Sequence, residues 1–281
     1  LVLSTISLMI PMSLLTQKGY HSLWVWPILL IAIFFIVNFI ITNRQATHPI
    51  VHFHTLFSKK PFVGATMAIS SHLTLLTGIA GINVYIVRIL KLPFDISLHF
   101  YFFFFVGVII TGILKMFFYS SVGAGFLGTL GSSALLYVSI HWIILGNTIN
   151  IPLLYIQGLL LGFGASMTLV SGSMATLLDG DLKEAAQRSQ TMHTIRNFSA
   201  AMLIPIIAYT IKNHIQKGTQ SIYAENITDK MIYLKKLQDV AIDADHQIFL
   251  LMIIFNMVMF VSSIIQMILG KGRRITPPRE S

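Results

Sequence analysis

The sequence predicts an all-α, polytopic integral membrane helix bundle with about eight transmembrane helices, and three observations carry that prediction. Of 281 residues, 55% are hydrophobic and only 10% are charged, whereas a soluble domain carries about 25% charged residues. The mean hydropathy is +0.77, so polar surface is too scarce to cover a water-facing globule of this size. The apolar residues are also gathered into long runs, many near the roughly 20 residues that an α-helix needs to cross hydrocarbon.

Taken in order, the first run, Leu1 to Leu15, is short for a full crossing. It has neither a starting methionine nor a basic leader, and so reads as a helix entered partway rather than a signal peptide. The next spans run from Leu23 to Thr42, Phe62 to Ile86 and Ile96 to Phe117. Val122 to Leu145 and Ile151 to Leu178 follow, both rich in glycine and small residues. Spacings of three or four, as in Gly158 with Gly162, allow close helix approach. The seventh span, Thr191 to Ile211, carries His193 and Arg196 near its start, and the eighth runs from Ile248 to Leu269.

The net charge of +9 does not point to nucleic acid, because the basic residues sit between apolar runs and form no stripe. They read instead as topogenic charge. Arg44, Lys59, Lys60, Lys115, Lys183, Arg188 and the tail Lys271, Arg273, Arg274 and Arg279 fall on one side, expected to be cytoplasmic. The opposite short loops hold Lys18, Arg88, Lys91 and Lys212. The segment from Asn213 to Gln247 is expected to be a long external loop, and it holds an Asn226-Ile227-Thr228 glycosylation acceptor pattern. With no cysteine, disulfides and thiol chemistry are excluded.

Polar residues inside apolar spans are the candidate functional residues, since ionisable groups there are expensive and usually face a bundle interior or water cavity. Arg196 either snorkels to headgroups or acts within the bundle. His193, one turn away on the same face, is either an interfacial structural histidine or a proton relay. His72, Asn83, Tyr101, Gln157 and Asn256 each either line a cavity or hydrogen-bond a neighbouring helix. Within the eight spans no carboxylate is expected near mid-membrane.

Enzyme readings lack support, because neither a phosphate loop nor a nucleophile elbow occurs; no catalytic residue and no cofactor is expected. The histidines of "HPIVHFH", His48, His52 and His54, keep a membrane metalloenzyme as one alternative. Against it, Pro49 opposes helix continuation from His48, and no second histidine cluster supplies further ligands. No metal site is expected.

The segment "YIQGLLLGFGASMTLVSGSMATLLDGDLKEAAQRSQTMHTIRNFSAAM", residues 155 to 202, resembles the last third of the major facilitator superfamily, in particular the fourteen-helix drug:proton antiporters of the EmrB/QacA type. Gln157, Gly158, Gly162 and Gly164 match that family's glutamine-glycine helix. Glu184 and Ser189 match its cytoplasmic loop, with Ala186 in place of the usual glycine, and Arg196 falls on its arginine. "KGYHSLWVW" and "ATHPIVHFHTLFSKKPF" resemble loops around its two extra central helices. Between the fourth and fifth spans the family's charged motif is reduced to Gly112 and Lys115.

The resemblance implies three parts: residues 1–60 as two extra central helices with a cytoplasmic linker, 61–270 as the six-helix carboxy-terminal half, and 271–281 as a cytoplasmic tail. It implies proton-coupled efflux of small amphipathic or cationic substrates from a bacterial inner membrane, in partnership with a missing amino-terminal six-helix half. Gram-negative relatives of this type often work with a periplasmic adaptor and an outer-membrane channel. Arg196, His193 and Glu184 are then expected in conformational coupling, Gln157, Asn83 and Tyr101 in the substrate cavity, and Gly158, Gly162 and Gly164 in helix packing. Without the other half the chain is not expected to transport. An interaction subunit or the remnant of a disrupted transporter gene is the alternative.

Overall fold

The computed structural model describes residues 2–18, 22–46, 49, 51–178, 182–225 and 229–270. Among these residues there is no strand. Helices α1 (Val2–Lys18) and α2 (Val25–Gln45) lead to a single helical turn, α3 (Phe53–Leu56). They are followed by α4 (Lys59–Asn83), α5 (Phe94–Val122), α6 (Ala124–Trp142), α7 (Ile151–Leu178), α8 (Ala185–Ala224) and α9 (Lys230–Ile268).

Local chemistry sets several of these boundaries. Gly123, at φ 84° and ψ 172°, separates α5 from α6, a backbone region that residues with a Cβ rarely enter. Asp229 caps α9, accepting from the backbone N–H groups of Met231 at 2.7 Å and Ile232 at 3.4 Å. The last turn of α4 widens into a π-helical stretch, Val84–Ile89.

Helices α4, α6, α7 and α9 form the centre of the bundle, with α4 against α7 and α9, and α6 against the same two. Outside this square, α5 packs on α7, while α8 packs on α9 and α4. Helix α1 pairs with α2 and touches α8. The periphery is apolar: α5 exposes Phe102, Phe105, Ile109, Ile113 and Met116, and α2 exposes Trp26, Leu30, Phe34, Val37 and Ile41. So much contiguous apolar surface is suited to lipid and not to water.

Six of the described helices are long and apolar enough to cross a membrane: α2, α4 with its π extension, α5, α7, α8 and α9. The expectation of about eight is therefore met for six. Helix α1 has only 17 residues, and α6 is diluted by glycines, serines and His141 within its 19 residues. A second difference is larger. Residues 213–224 and 230–247 are helical rather than loop, because α8 continues to Ala224 and α9 begins at Lys230. These polar turns escape a hydropathy criterion but satisfy their backbone as helix and pack on one another, with Val240 over Gly218. Asn226 to Thr228 and the tail 271–281 lie outside the described residues.

Candidate functional site

One end of the bundle gathers the segments expected in the cytoplasm. Asn43 ties down the connection after α2, donating to the Val51 carbonyl at 2.8 Å and accepting from its N–H at 3.1 Å. The backbone N–H of His52 donates to Thr191 Oγ1 at 2.9 Å. Arg188 is 1% exposed. Its Nε donates to the Thr176 carbonyl and its Nη2 to the Leu177 carbonyl, both at 3.0 Å. The guanidinium thus caps the carboxyl end of α7, where carbonyls lack helical partners and the helix dipole favours a cation. Glu184, 3.5 Å from Arg188 Nη1, completes the clamp. The sequence alone marks Arg188 only as topogenic charge; the signal that points further is the Glu184/Arg188 spacing of four beside a helix end.

Further along the bundle, Arg196 lies about three turns into α8, deeper than a helix starting at Thr191 would place it. The electrostatic reach of its guanidinium takes in His72, midway along α4, and His193, one turn back on α8. Arg196 Nε is buried and has no hydrogen-bond partner among the described residues. The structure therefore joins His193 and Arg196 to a third basic group, and places Glu184 apart from them, on Arg188.

The expected cavity residues fall into two groups. Tyr101 donates to Asn83 Oδ1 at 2.8 Å. Gln157 is 1% exposed and accepts from Trp142 Nε1 at 2.8 Å, with its own Nε2 unpartnered among the described residues. Phe100 bridges the groups, its ring lying 5.4 Å from Tyr101 and 6.4 Å from Trp142. Asn256 donates to the Leu135 carbonyl at 3.2 Å and to Ser139 Oγ at 3.0 Å, stitching α9 to α6.

The three glycines of α7 lie at helix crossings. A Cβ on Gly158 would stand 2.8 Å from the Phe100 carbonyl oxygen, and one on Gly162 would run into that of Phe104. Gly164 meets Gly131 of α6, where a Cβ would be 2.6 Å from its carbonyl oxygen. Lys115 reaches across the α5–α7 seam to the Ser166 carbonyl.

At the opposite end, the π turn of α4 meets the end of α6 and the first half of α9. Tyr85 donates to the Gly146 carbonyl. The His246 ring lies 2.8 Å from the Leu145 carbonyl oxygen, and Asn147 donates to Asp239 Oδ1 at 3.2 Å. Behind these bonds is Asp245, 1% exposed, with neither carboxylate oxygen partnered among the described residues. Sequence reading put this acid in a loop; the structure puts it inside α9 and in the protein core.

Among the described residues no three histidine, cysteine or acidic side chains come together as a metal site, and His48 lies outside those residues. The chain matches no protein-family model and none of the curated proteins with which it was compared.

Proposed function

We propose that the chain is the carboxy-terminal part of a major-facilitator-type exporter that extrudes small amphipathic or cationic compounds in exchange for protons across a bacterial inner membrane. The observation that carries this reading is the packing order. If α4, α5, α6 are exchanged with α7, α8, α9, the central contacts map onto one another: α4 on α9 becomes α7 on α6, α5 on α7 becomes α8 on α4, and the α4–α7 and α6–α9 contacts map onto themselves, whereas α8 packs on α9 and α7 far more than its counterpart α5 does on α6 and α4. Such three-plus-three repeats are how each six-helix half of these transporters is built. The substrate class and proton coupling rest on the sequence resemblance around Gln157 and Arg196, because a fold by itself does not specify an activity.

In this reading a second six-helix half supplies the other wall of the substrate cavity, and α1 and α2 are the extra central pair. The His72, His193 and Arg196 cluster on α4 and α8 provides a charged contact that changes as the halves rock. The test is efflux of a fluorescent lipophilic cation from cells producing this chain with and without an upstream six-helix half, each with and without a protonophore. Efflux that needs both halves and collapses with the proton gradient is expected. Efflux by the chain alone in liposomes, or none by the joined halves with a panel of such cations, overturns the reading.

A further inference from the structure

Asp245 stands in "DADHQIFLLM", where α9 passes from its polar first half into its apolar second half. Ile242 and Phe249, one turn to either side, are buried and belong to the main apolar core, so the helical period directs Asp245 into that core as well. Asp243, two residues earlier, is exposed, and lines a groove with His214 and Lys217 of α8 and Val240. Of two acids so close in sequence, one is solvated and the other is enclosed.

The groups facing Asp245 leave it without a counter-charge. From α4 the neighbour is Tyr85, whose hydroxyl already donates to the Gly146 carbonyl. Arg88, in the same π turn, is exposed. From α6, His141 lies against the exposed ring of Tyr137, 6.2 Å away. On α9 itself, His246 is engaged with the Leu145 carbonyl. His214 and Lys217 of α8 stand with Asp243. A metal cation would require several free oxygens, whereas the carbonyls of Leu145 and Gly146 at this end of the bundle already have hydrogen-bond partners.

An isolated carboxylate in such surroundings either takes a proton or reaches water. Water would reach Asp245 if the bonds at this end of the bundle, Tyr85 to Gly146, His246 to Leu145 and Asn147 to Asp239, were to part. The π turn is a suitable place for this, since such irregular turns relax helix geometry locally and recur at functional sites.

We propose that Asp245 is a proton-binding site, and that its proton is held while the α4–α6–α9 end of the bundle is closed and released to water when that end opens. The step is Asp245–COOH giving its proton to solvent and becoming Asp245–COO⁻, with no other reactant. Because each state favours one geometry, binding and closure are linked in both directions. The use of this proton to drive export rests on the function proposed above; the proton site does not.

Two readouts test it on the full chain, the first on the purified protein and the second in its native membranes. Infrared spectroscopy of the purified protein is expected to show a carbonyl stretch from a protonated carboxyl that is lost in Asp245→Asn and retained, shifted, in Asp245→Glu. Asparagine copies the neutral acid, so that variant is expected to fold. In the cysteine-free chain, Leu145→Cys places a thiol at a position only 7% exposed. Its labelling by an impermeant reagent is expected to rise several-fold more with pH when Asp245 is present than in the Asp245→Asn background, which controls for ionisation of the thiol. Absence of the infrared band from the unsubstituted protein, or labelling that follows the same pH course in both backgrounds, overturns the proposal. Neither readout needs transport, so a failure of drug efflux would remove the exporter reading and leave the proton site standing.

Discussion

Trp142 donates its indole N–H to Gln157 Oε1 over 2.8 Å, joining α6 to α7 through two side chains that are each no more than 1% exposed. Bonds of this kind between membrane helices contribute about 0.6 kcal/mol on average and up to roughly 1.7 kcal/mol. Gln157→Leu and Trp142→Phe are therefore each expected to lower the thermal midpoint in detergent, and the double variant to lose less than the sum. Strict additivity would mean that the bond contributes nothing and that Gln157 is free to serve a cavity.

Gly162 and Gly112 make a contrasting pair. A Cβ at Gly162 would collide with the Phe104 backbone, which cannot turn aside as a side chain can, whereas nothing lies within 4 Å of one at Gly112. Overpacking of this sort costs about 1–3 kcal/mol. Gly162→Ala is expected to destabilise and to loosen α5 from α7. Gly112→Ala, gaining up to about 1 kcal/mol of helix propensity, is expected to be neutral or stabilising. Equal midpoints for the two variants would show that α5 and α7 do not approach as closely as described.

Arg188 provides a third test. Its guanidinium holds two carbonyls of α7 and faces Glu184, and a hydrogen bond to a charged group contributes about 1.5–3 kcal/mol. Arg188→Ala is expected to lower stability by a few kcal/mol and to raise the rate at which trypsin cuts at Lys183. Arg188→Lys is expected to recover only part of the loss, because a lysine lacks the planar fork that reaches two carbonyls at once. Full recovery by lysine would reduce Arg188 to a point charge.

How far these features were legible in the sequence depends on what each element is made of. Helix α7 was readable to the residue, Ile151 to Leu178, because Pro152 marks its first turn and the polar Asp-Gly-Asp sequence follows its last apolar residue. Helices α8 and α9 were read too short, because a hydropathy window sees the apolar run and not the polar turns that extend it. Asp245 was missed for the same reason: its charge was visible, but the face it occupies depends on those unread turns. Arg196 stands out in the sequence as an anomalous cation, yet its companion His72 is distant in the chain, and only the α4–α8 contact brings the two together.

The Arg196 cluster separates a coupling role from a structural one. Burying the Arg196 Nε without a hydrogen-bond partner carries a desolvation cost. Arg196→Gln is therefore expected to leave the thermal midpoint unchanged or higher while reducing efflux, the trade-off seen where function keeps a destabilising residue. A variant that lost stability and efflux in parallel would make Arg196 a structural residue.

Sidedness follows from the two ends of the bundle and is tested without reference to transport. Lys183 belongs to the end where Arg188 grips α7, while Asn147 and Lys236 belong to the end where α6 meets the first half of α9, linked there by Asn147 to Asp239 and by the Lys236–Glu225 pair. The chain has no cysteine of its own, so single cysteines at these positions report unambiguously. Because the short basic loops cluster at the Lys183 end, the positive-inside rule predicts that end to be cytoplasmic. An impermeant thiol reagent applied to intact cells is expected to label Asn147→Cys and Lys236→Cys and to spare Lys183→Cys until the cells are opened. Labelling at 183 alone would invert the protein, and labelling at 147 but not 236 would break the packing of α9 on the end of α6, and with it the enclosure of Asp245.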